Sequence, residues 1–340
     1  MATEEFFRGK DILVTGGCGS IGSEIIRKLL TMDVKRVRSF DNNESGQYHL
    51  QEEHSGNSRL RTLIGDIRDR QRLAIAMKGV DIVFHAAALK HVPMCEYNPF
   101  EAVATNVSGT QNVISAAREN GVKRFVAIST DKAVNPINTM GATKLLSEKI
   151  VLNAPIGDDL TMFSCVRFGN VLNSSGSVIP LFSKQISRGG PLTLTCREMT
   201  RFFMSTSDAV SLILKASEIM EGREIFILKM KAMKISDLAE VMIEELAPRY
   251  GFKASDIKMI TIGVRPGEKI HESLMTEEEE LYAEEREDMY IIRPGICAPH
   301  HSEIRSECRK TPGNSNGKLL PKEMVRDLLK RTILEDGSGM

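Results

Sequence analysis

The 340-residue chain lacks an excess of charge of either sign: 45 Lys and Arg stand against 45 Asp and Glu. A general binder of nucleic acid or acidic membranes carries a basic surplus, so neither class is expected here. Paired cysteines are lacking too. Cys18, Cys95, Cys165, Cys196, Cys297 and Cys308 are scattered, without metal-ligand spacing. That pattern predicts reduced thiols in a cytosolic protein and no metal site. No long apolar run opens the chain. The start MATEEFFRGKDILVTGG brings acids early, so neither a signal peptide nor a membrane span is expected, and a cytoplasmic location is. No internal repeats are visible. What is present is an ordinary globular composition, 41% apolar and 26% charged, with length for one large domain or two unequal ones.

The first half alternates β-rich runs with helical patterns. Strands are predicted at 12–15, 37–41, 62–66, 81–88 and 124–130. A helix is predicted over 20–30, with Ile21, Ile25, Ile26, Leu29 and Leu30 on one face. Asn98-Pro99-Phe100-Glu101 reads as a helix start, with Asn as cap and Glu reaching back to it. The alternation predicts an α/β fold, a Rossmann-type doubly wound parallel sheet. After about residue 165 the pattern changes. A strand is expected at 163–171, then strands at 224–230 and 258–262, and serine-capped helices at 207–220 and 236–246. The Glu-rich stretch 275–288 reads as a solvated helix face. These features divide the chain into a dinucleotide-binding domain over 1–165, its sheet completed by later segments. A smaller α/β substrate-binding lobe follows, mainly over 166–294. A polar connector at 295–317 and a helix near 321–334 end the chain.

Thr15-Gly16-Gly17-Cys18-Gly19-Ser20-Ile21-Gly22 lies between the first strand and the first helix. Its glycines permit a tight turn and let backbone N–H groups approach a pyrophosphate, which the helix N-terminus favours. Asp41, nineteen residues past Gly22, ends the second strand. A carboxylate there accepts from ribose hydroxyls and repels a 2′-phosphate, and no Arg occupies 41–46, so NAD is expected rather than NADP. Asp66 and Ile67 end the third strand, where a carboxylate can meet the adenine amino group or cap the next helix. Ala86, Ala87 and Ala88 leave room for a cofactor close to the backbone.

These residues resemble the short-chain dehydrogenase/reductase superfamily, extended type. Further stretches narrow the resemblance: His85-Ala-Ala-Ala-Leu-Lys-His-Val-Pro93, Ser129-Thr-Asp-Lys132, Met140-Gly-Ala-Thr-Lys144, Val166-Arg-Phe-Gly-Asn170, Met199-Thr-Arg201 and Arg265-Pro-Gly-Glu-Lys269. Together, over about residues 8–294, they are similar to the UDP-N-acetylglucosamine 4,6-dehydratases of polysaccharide and nonulosonic-acid pathways, in their short, soluble form. One departure stands out. Where most of the superfamily has Tyr in a Tyr-x-x-x-Lys motif, this chain has Met140, with Lys144 in place. A thioether exchanges no protons. A subset of the dehydratase family also carries Met there and is active, so other groups are expected to move the protons.

The resemblance implies a roster of roles. Thr130 would hydrogen-bond the sugar's 4-oxygen. Asp131 would protonate the departing 6-hydroxyl and first take the 4-hydroxyl proton. Lys132 would be the base at carbon 5, if burial and a nearby Lys144 disfavour its charged form. Lys144 would bind the nicotinamide ribose. Lys90, Asn170, Arg201, Arg265 and Glu268 would hold the UDP-sugar, the two arginines on its diphosphate. His85 and His91 receive packing and loop roles. The stretch from Arg167 to Gly176 is closest to members that retain the carbon 5 configuration. The family also suggests a homo-oligomer. A nucleotide-sugar 4-epimerase and a non-catalytic NAD-binding sensor or scaffold are the competing readings.

Overall fold

The computed structural model describes residues 2–154, 161–172, 174, 176–293, 314–315 and 317–330. Its strands are β1 (Asp11–Thr15), β2 (Arg36–Asp41), β3 (Leu60–Ile64), β4 (Ile82–His85), β5 (Arg124–Thr130), β6 (Met162–Phe168), β7 (Asn170–Val171), β8 (Leu192–Leu194), β9 (Thr200–Met204), β10 (Ile225–Leu228), β11 (Lys231–Lys234), β12 (Met259–Thr261), β13 (Ala283–Glu285) and β14 (Met289–Ile292). Nine of them build one sheet, in the order β13-β14-β10-β6-β5-β4-β1-β2-β3. It is parallel from β3 to β10 and closes on an antiparallel hairpin. The order reverses at β1, which pairs with β2 on one side and β4 on the other. Ligands of such sheets sit in the crevice at this switch point, beyond the carboxyl ends of the strands.

Side chains alternate across the central strands. Ile12 and Val14 of β1 join one core with Ile25, Ile26 and Leu29 of the helix Ser20–Leu30 and with Val210, Ile213 and Leu214 of Thr206–Ile219. Leu13 joins the opposite core with Val83, Phe125 and Phe163, under Val113 of the helix Thr110–Glu119 and Val151 of Thr139–Leu152. Both faces are therefore covered, as a parallel sheet requires. The lobe has its own core of Phe182, Leu192, Phe203, Leu238 and Met242, closed by Val325 and Leu329 of the helix Lys322–Leu329. No helix among the described residues is long and apolar enough to cross a membrane.

Several expectations change. The run 81–88 is a strand only to His85; residues 86–88 leave the ladder and become wall. The run 163–171 is broken at Gly169, where the chain leaves the main sheet and Asn170–Val171 pairs with β9. β10 and the hairpin β13–β14 lie in the main sheet. Asn98 does not cap by its side chain, which instead donates to the Met94 carbonyl, and Glu101 turns to Arg68. The helix Thr206–Ile219 is capped by Ser205, while Ser236 lies inside the helix Ile235–Leu246 and donates to the Arg197 carbonyl. The Glu-rich stretch is not one solvated helix: Glu277–Tyr282 is helical, and Ala283–Glu285 is an edge strand. Most of the connector 295–317, with Cys297 and Cys308, lies outside the described residues, as does the chain beyond Lys330.

Candidate active site

The glycine turn after β1 forms the floor of a cleft of about 300 Å³, lined by Gly16, Gly19, Asp41, Asp66, Ile67 and Ala86 to Ala88 among others. Gly16 sits at φ +68°, and a Cβ there would lie 2.6 Å from the Ala87 nitrogen. A side chain at Gly22 would lie 2.1 Å from the Gly16 carbonyl oxygen, so helix and turn touch backbone to backbone. Gly22 thus packs the helix onto the turn, and Thr15 ends the strand behind it. Thr15 Oγ1 bonds His85 Nδ1 at 2.7 Å, and His85 Nε2 meets Thr110 Oγ1 at 3.0 Å. Burial, then the charge of Lys144, pushes His85 down to about 3. His85 is a neutral, hydrogen-bonded strut between Thr15 and Thr110.

Asp41 Oδ2 accepts from the Cys18 N–H at 3.0 Å and Oδ1 from Asn43 N–H at 2.9 Å. A carboxylate has about four acceptor sites, so two backbone donors leave room for a ribose. Burial and the charge of Asp41 push the Cys18 thiol up to about 12, so it stays neutral. Asp66 is held by Arg68 at 2.7 Å, which also reaches Glu101 at 2.9 Å, and its carboxyl lies below the usual range because of Arg68. The residues present therefore fit a dinucleotide: an open backbone turn, an acidic ribose acceptor and a small-residue wall. Asp41→Ala is expected to weaken retention of a bound dinucleotide by about 1–3 kcal/mol, the range for losing bonds to a charged acceptor. Mass identification of nucleotide released on denaturation checks both the cofactor and its loss; mainly NADP from the unaltered chain would refute the reading.

β5 ends in Thr130, and a single 3-10 turn, Asp131–Ala133, follows. Asp131 is fully buried. Its Oδ1 accepts from Thr130 Oγ1 and from Lys132 Nζ, both at 2.9 Å, while Oδ2 has no hydrogen-bond partner among the described residues. Lys132 Nζ also donates to Asn170 Oδ1 at 3.3 Å. Thr130, Asp131, Lys132 and Asn170 thus meet where β5 and β6 end. The neighbours of Lys132 are carboxylates, Asp131 and, at 3.8 Å, Glu272, and not the expected second ammonium. Lys144 donates to the Ile128 carbonyl at 2.6 Å beside a cavity of about 10 Å³ lined with His85 and Glu148. Burial lowers its proton affinity, against Cys165 and Glu148.

Met140 is buried with Cys95 and Ala102 in a small apolar cluster. Met140→Ala is expected to keep measurable turnover while costing about 2–5 kcal/mol of stability through the cavity left behind. Paired activity and thermal-unfolding measurements check this; complete loss of turnover in a stable variant would place Met140 in the chemistry.

The substrate candidates divide. Lys90 is exposed and follows the cleft-lining Leu89, its proton affinity lowered by burial of part of the side chain. Arg201 is buried and donates to the carbonyls of Thr200, Lys269 and Ile270 at 2.7, 2.7 and 3.0 Å. It braces the following loop rather than facing solvent. Arg265 is exposed on a turn whose Glu268 carboxylate accepts from the Arg265 N–H at 3.3 Å. Asn138, cap of the Met140 helix, donates to the Gly267 carbonyl at 2.7 Å and ties this turn to the site. His91 packs against Gly176.

Three groups escaped the sequence reading. Asn106, in a π-helical turn, clasps both backbone groups of Leu89 at 2.8 and 3.0 Å. Glu272 lies three residues past the Arg265-Pro-Gly-Glu-Lys269 motif, and only that proximity could have flagged it. Glu148, one turn beyond Lys144, accepts from buried Arg167 at 3.0 and 2.7 Å.

Known proteins fit this geometry. The family model described as "Polysaccharide biosynthesis protein" matches residues 12–294. A protein of Methanocaldococcus jannaschii named an uncharacterized membrane protein is 53% identical over 96% of each chain. The UDP-N-acetylglucosamine 4,6-dehydratase (inverting) of Campylobacter jejuni is 44% identical over 85% of this chain and 84% of its own. A UDP-glucose 4-epimerase of Rickettsia bellii is 42% identical over 84% and 83%. The X-ray structure of Pen from Bacillus thuringiensis superposes with a TM-score of 0.89 at 45% identity, covering 97% of this chain and 99% of that one. With its parallel sheet, glycine turn and strand-end cluster, the chain belongs to the polysaccharide biosynthesis protein family, as an extended short-chain dehydrogenase/reductase resembling the UDP-N-acetylglucosamine 4,6-dehydratases.

Proposed function

We propose that the chain is an NAD-dependent UDP-N-acetylglucosamine 4,6-dehydratase, giving a UDP-4-keto-6-deoxy-N-acetylhexosamine with carbon 5 retained. The observation that carries this reading is the cluster of Thr130, Asp131, Lys132 and Asn170 at the carboxyl ends of β5 and β6. Asp131 there keeps one buried carboxylate oxygen without a partner among the described residues. Bound NAD would supply the hydride acceptor and, later, the hydride donor. Thr130 hydrogen-bonds the 4-oxygen, and Asp131 takes the 4-hydroxyl proton. The 4-ketone acidifies the hydrogen on carbon 5, which Lys132 removes. Asp131 returns its proton to the 6-hydroxyl, which leaves as water, and Lys132 reprotonates carbon 5. Lys144 holds the nicotinamide ribose. Arg265 meets the diphosphate from its exposed turn, with Lys90 and Glu268 on the sugar nucleotide, while Arg201 fixes the loop behind them.

Retention at carbon 5 rests on the stretch from Arg167 to Gly176. The Campylobacter relative carries an inverting name, so the ring-proton couplings of the product decide this point. A cytoplasmic setting and assembly with further copies belong to the same reading. The exposed apolar side chains of Met94, Tyr97 and Phe100 support the latter. The epimerase reading needs a Tyr acid–base group, and the packed thioether of Met140 disfavours it. Incubation with UDP-N-acetylglucosamine and mass spectrometry tests the proposal. Loss of one water supports the dehydratase, an isobaric epimer supports the second reading, and binding without conversion supports a sensor.

A further inference from the structure

On the dehydratase reading, Lys132 must meet carbon 5 without its proton, yet its ammonium rests 2.9 Å from Asp131 Oδ1 as an ion pair. Asp131 cannot hold that proton, because it is committed to the 4-hydroxyl and 6-hydroxyl. One other carboxylate faces Lys132 among the described ion pairs. Glu272 is 3% exposed, with Oε1 3.8 Å from Lys132 Nζ and an Oε2 that accepts no hydrogen bond among the described residues.

Glu272 is held by backbone contacts from far along the chain. Its N–H donates to Ser315 Oγ at 2.8 Å, and the Ser315 N–H donates to the Glu272 carbonyl at 2.8 Å. Ser315 Oγ also meets Thr200 Oγ1 at 2.8 Å, and Asn314 bridges to Ser273. The helix Lys322–Leu329 anchors this segment on Ile235–Leu246, with Arg326 Nε 2.9 Å from Glu245. Ser315 lies beyond the residues that the family model matches.

We infer that Glu272 is a positioning residue that takes the proton from Lys132 before the carbon 5 step and returns it afterwards, held in place by Ser315. The inference rests on the dehydratase reading. The protons balance. An N–H bond of Lys132 breaks as an O–H bond forms on Glu272, leaving Lys132 with a free electron pair. That pair takes the carbon 5 proton, and Lys132 gives it back to carbon 5 once water has gone. Glu272 then returns its proton to Lys132, and the pair ends as it began. Rotation about the last bonds of Lys132, whose side chain is 23% exposed, closes 3.8 Å to hydrogen-bond reach. Burial raises the proton affinity of Glu272 and the Asp131 charge adds to it, against Lys132, Arg201 and Lys269. Among the described residues those four are the charged groups facing it, from the turn after β5, from β9 and from its own loop.

Turnover of UDP-N-acetylglucosamine by the full chain, measured from acid to alkaline pH, tests this. In the unaltered protein the Lys132–Glu272 pair is active once it has lost one proton, so the acid limb contains the pair beside Asp131, and a change at Glu272 is read as a shift of that limb. Gln cannot take a proton. In Glu272→Gln the acid limb is expected to move up by more than one pH unit, because Lys132 must then lose its proton to solvent with no carboxylate to take it. Lys269→Met removes a cation that opposes proton uptake by Glu272 and should move the same limb up by a smaller step. It also covers the case in which Glu272→Gln fails to fold. Ser315→Ala keeps the carboxyl and should lower turnover with the limb unmoved. A uniform loss with an unmoved limb in Glu272→Gln or in Lys269→Met overturns the inference, as does an Ser315→Ala limb that moves as far as that of Glu272→Gln. An unaltered protein that releases no water from UDP-N-acetylglucosamine overturns the dehydratase reading instead.

Discussion

Lys132→Met is expected to abolish water loss from UDP-N-acetylglucosamine and to stop exchange of the carbon 5 hydrogen with deuterated water, while the variant still binds UDP. Methionine preserves much of the length of the lysine stem but has no electron pair basic enough to take a carbon-bound proton. Losing a positioned acid or base typically lowers a rate by roughly 100-fold to 10,000-fold. Asp131→Asn provides the contrast. It keeps the shape and the bond from Thr130, now 2.9 Å from Oδ1, but has no carboxyl proton to give. If Asp131 serves only the 6-hydroxyl, carbon 5 exchange should survive while water loss falls over that range. If it also takes the 4-hydroxyl proton, exchange should fall too, because the carbon 5 hydrogen is acidic only beside a ketone. Deuterium incorporation followed by mass spectrometry separates the cases. Unchanged turnover in Lys132→Met would remove the centre of the mechanism, since Asn170 and Asp131, its hydrogen-bond partners, contain no second amine.

The parts of this site that follow strands were legible in the sequence. A hydrophobic run that ends in Gly16, Asp41 or Asp131 places those residues on the carboxyl edge of a parallel sheet, and topology does the rest. The cleft-lining Asp66, Ile67 and Ala86 to Ala88 came from the same rule. Residues that work through loop geometry were not legible. Arg201 reads as an anion-binding guanidinium, but the chain folds Lys269 and Ile270 over it and supplies three carbonyls. Glu272 reads as one more surface acid, but the chain brings Asn314 and Ser315 back against its segment. Local capping signals failed where other carbonyls offered better partners: Asn98 turns back to Met94 four residues earlier, and Ser236 reaches Arg197 across the fold. The Glu-rich stretch was misread for a related reason. Composition describes the average residue, whereas Glu279 points inward and its neighbours do not. The spacing of Thr276 and Glu279, which bond each other's backbone N–H groups, was the one local sign of an ordered helix start.

Glu279 is also the reason to expect the largest stability effect at Arg167. The Arg167 side chain is 1% exposed, and its guanidinium bridges two carboxylates. It reaches Glu148 at 3.0 and 2.7 Å, Glu279 at 2.8 and 2.9 Å, and the Leu274 carbonyl at 3.0 Å. Burial opposes its charge, and Glu148 and Glu279 overcome that penalty. Arg167→Met keeps the volume but leaves Glu148, itself 2% exposed, as a buried carboxylate with Ser129 Oγ as its remaining donor at 2.5 Å. Removing one partner of a buried pair costs about 3–5 kcal/mol, because the other charge stays desolvated. Denaturant unfolding should show that loss at neutral pH. The pH dependence carries a defined sign. Glu279 is held below the usual carboxylate range, where hydrogen bonds from Arg167 outweigh the burial that opposes them. A carboxyl depressed in the folded state contributes stability that is present above its unfolded value and is lost as pH falls through its folded value. The unaltered protein therefore weakens on acidification, whereas the variant has no such contribution to lose. The gap between the two should narrow as pH falls below the carboxylate range. A gap that stays constant or widens there would mean that Arg167 acts by filling space, and a loss under about 1 kcal/mol at neutral pH would mean that Glu148 finds another partner.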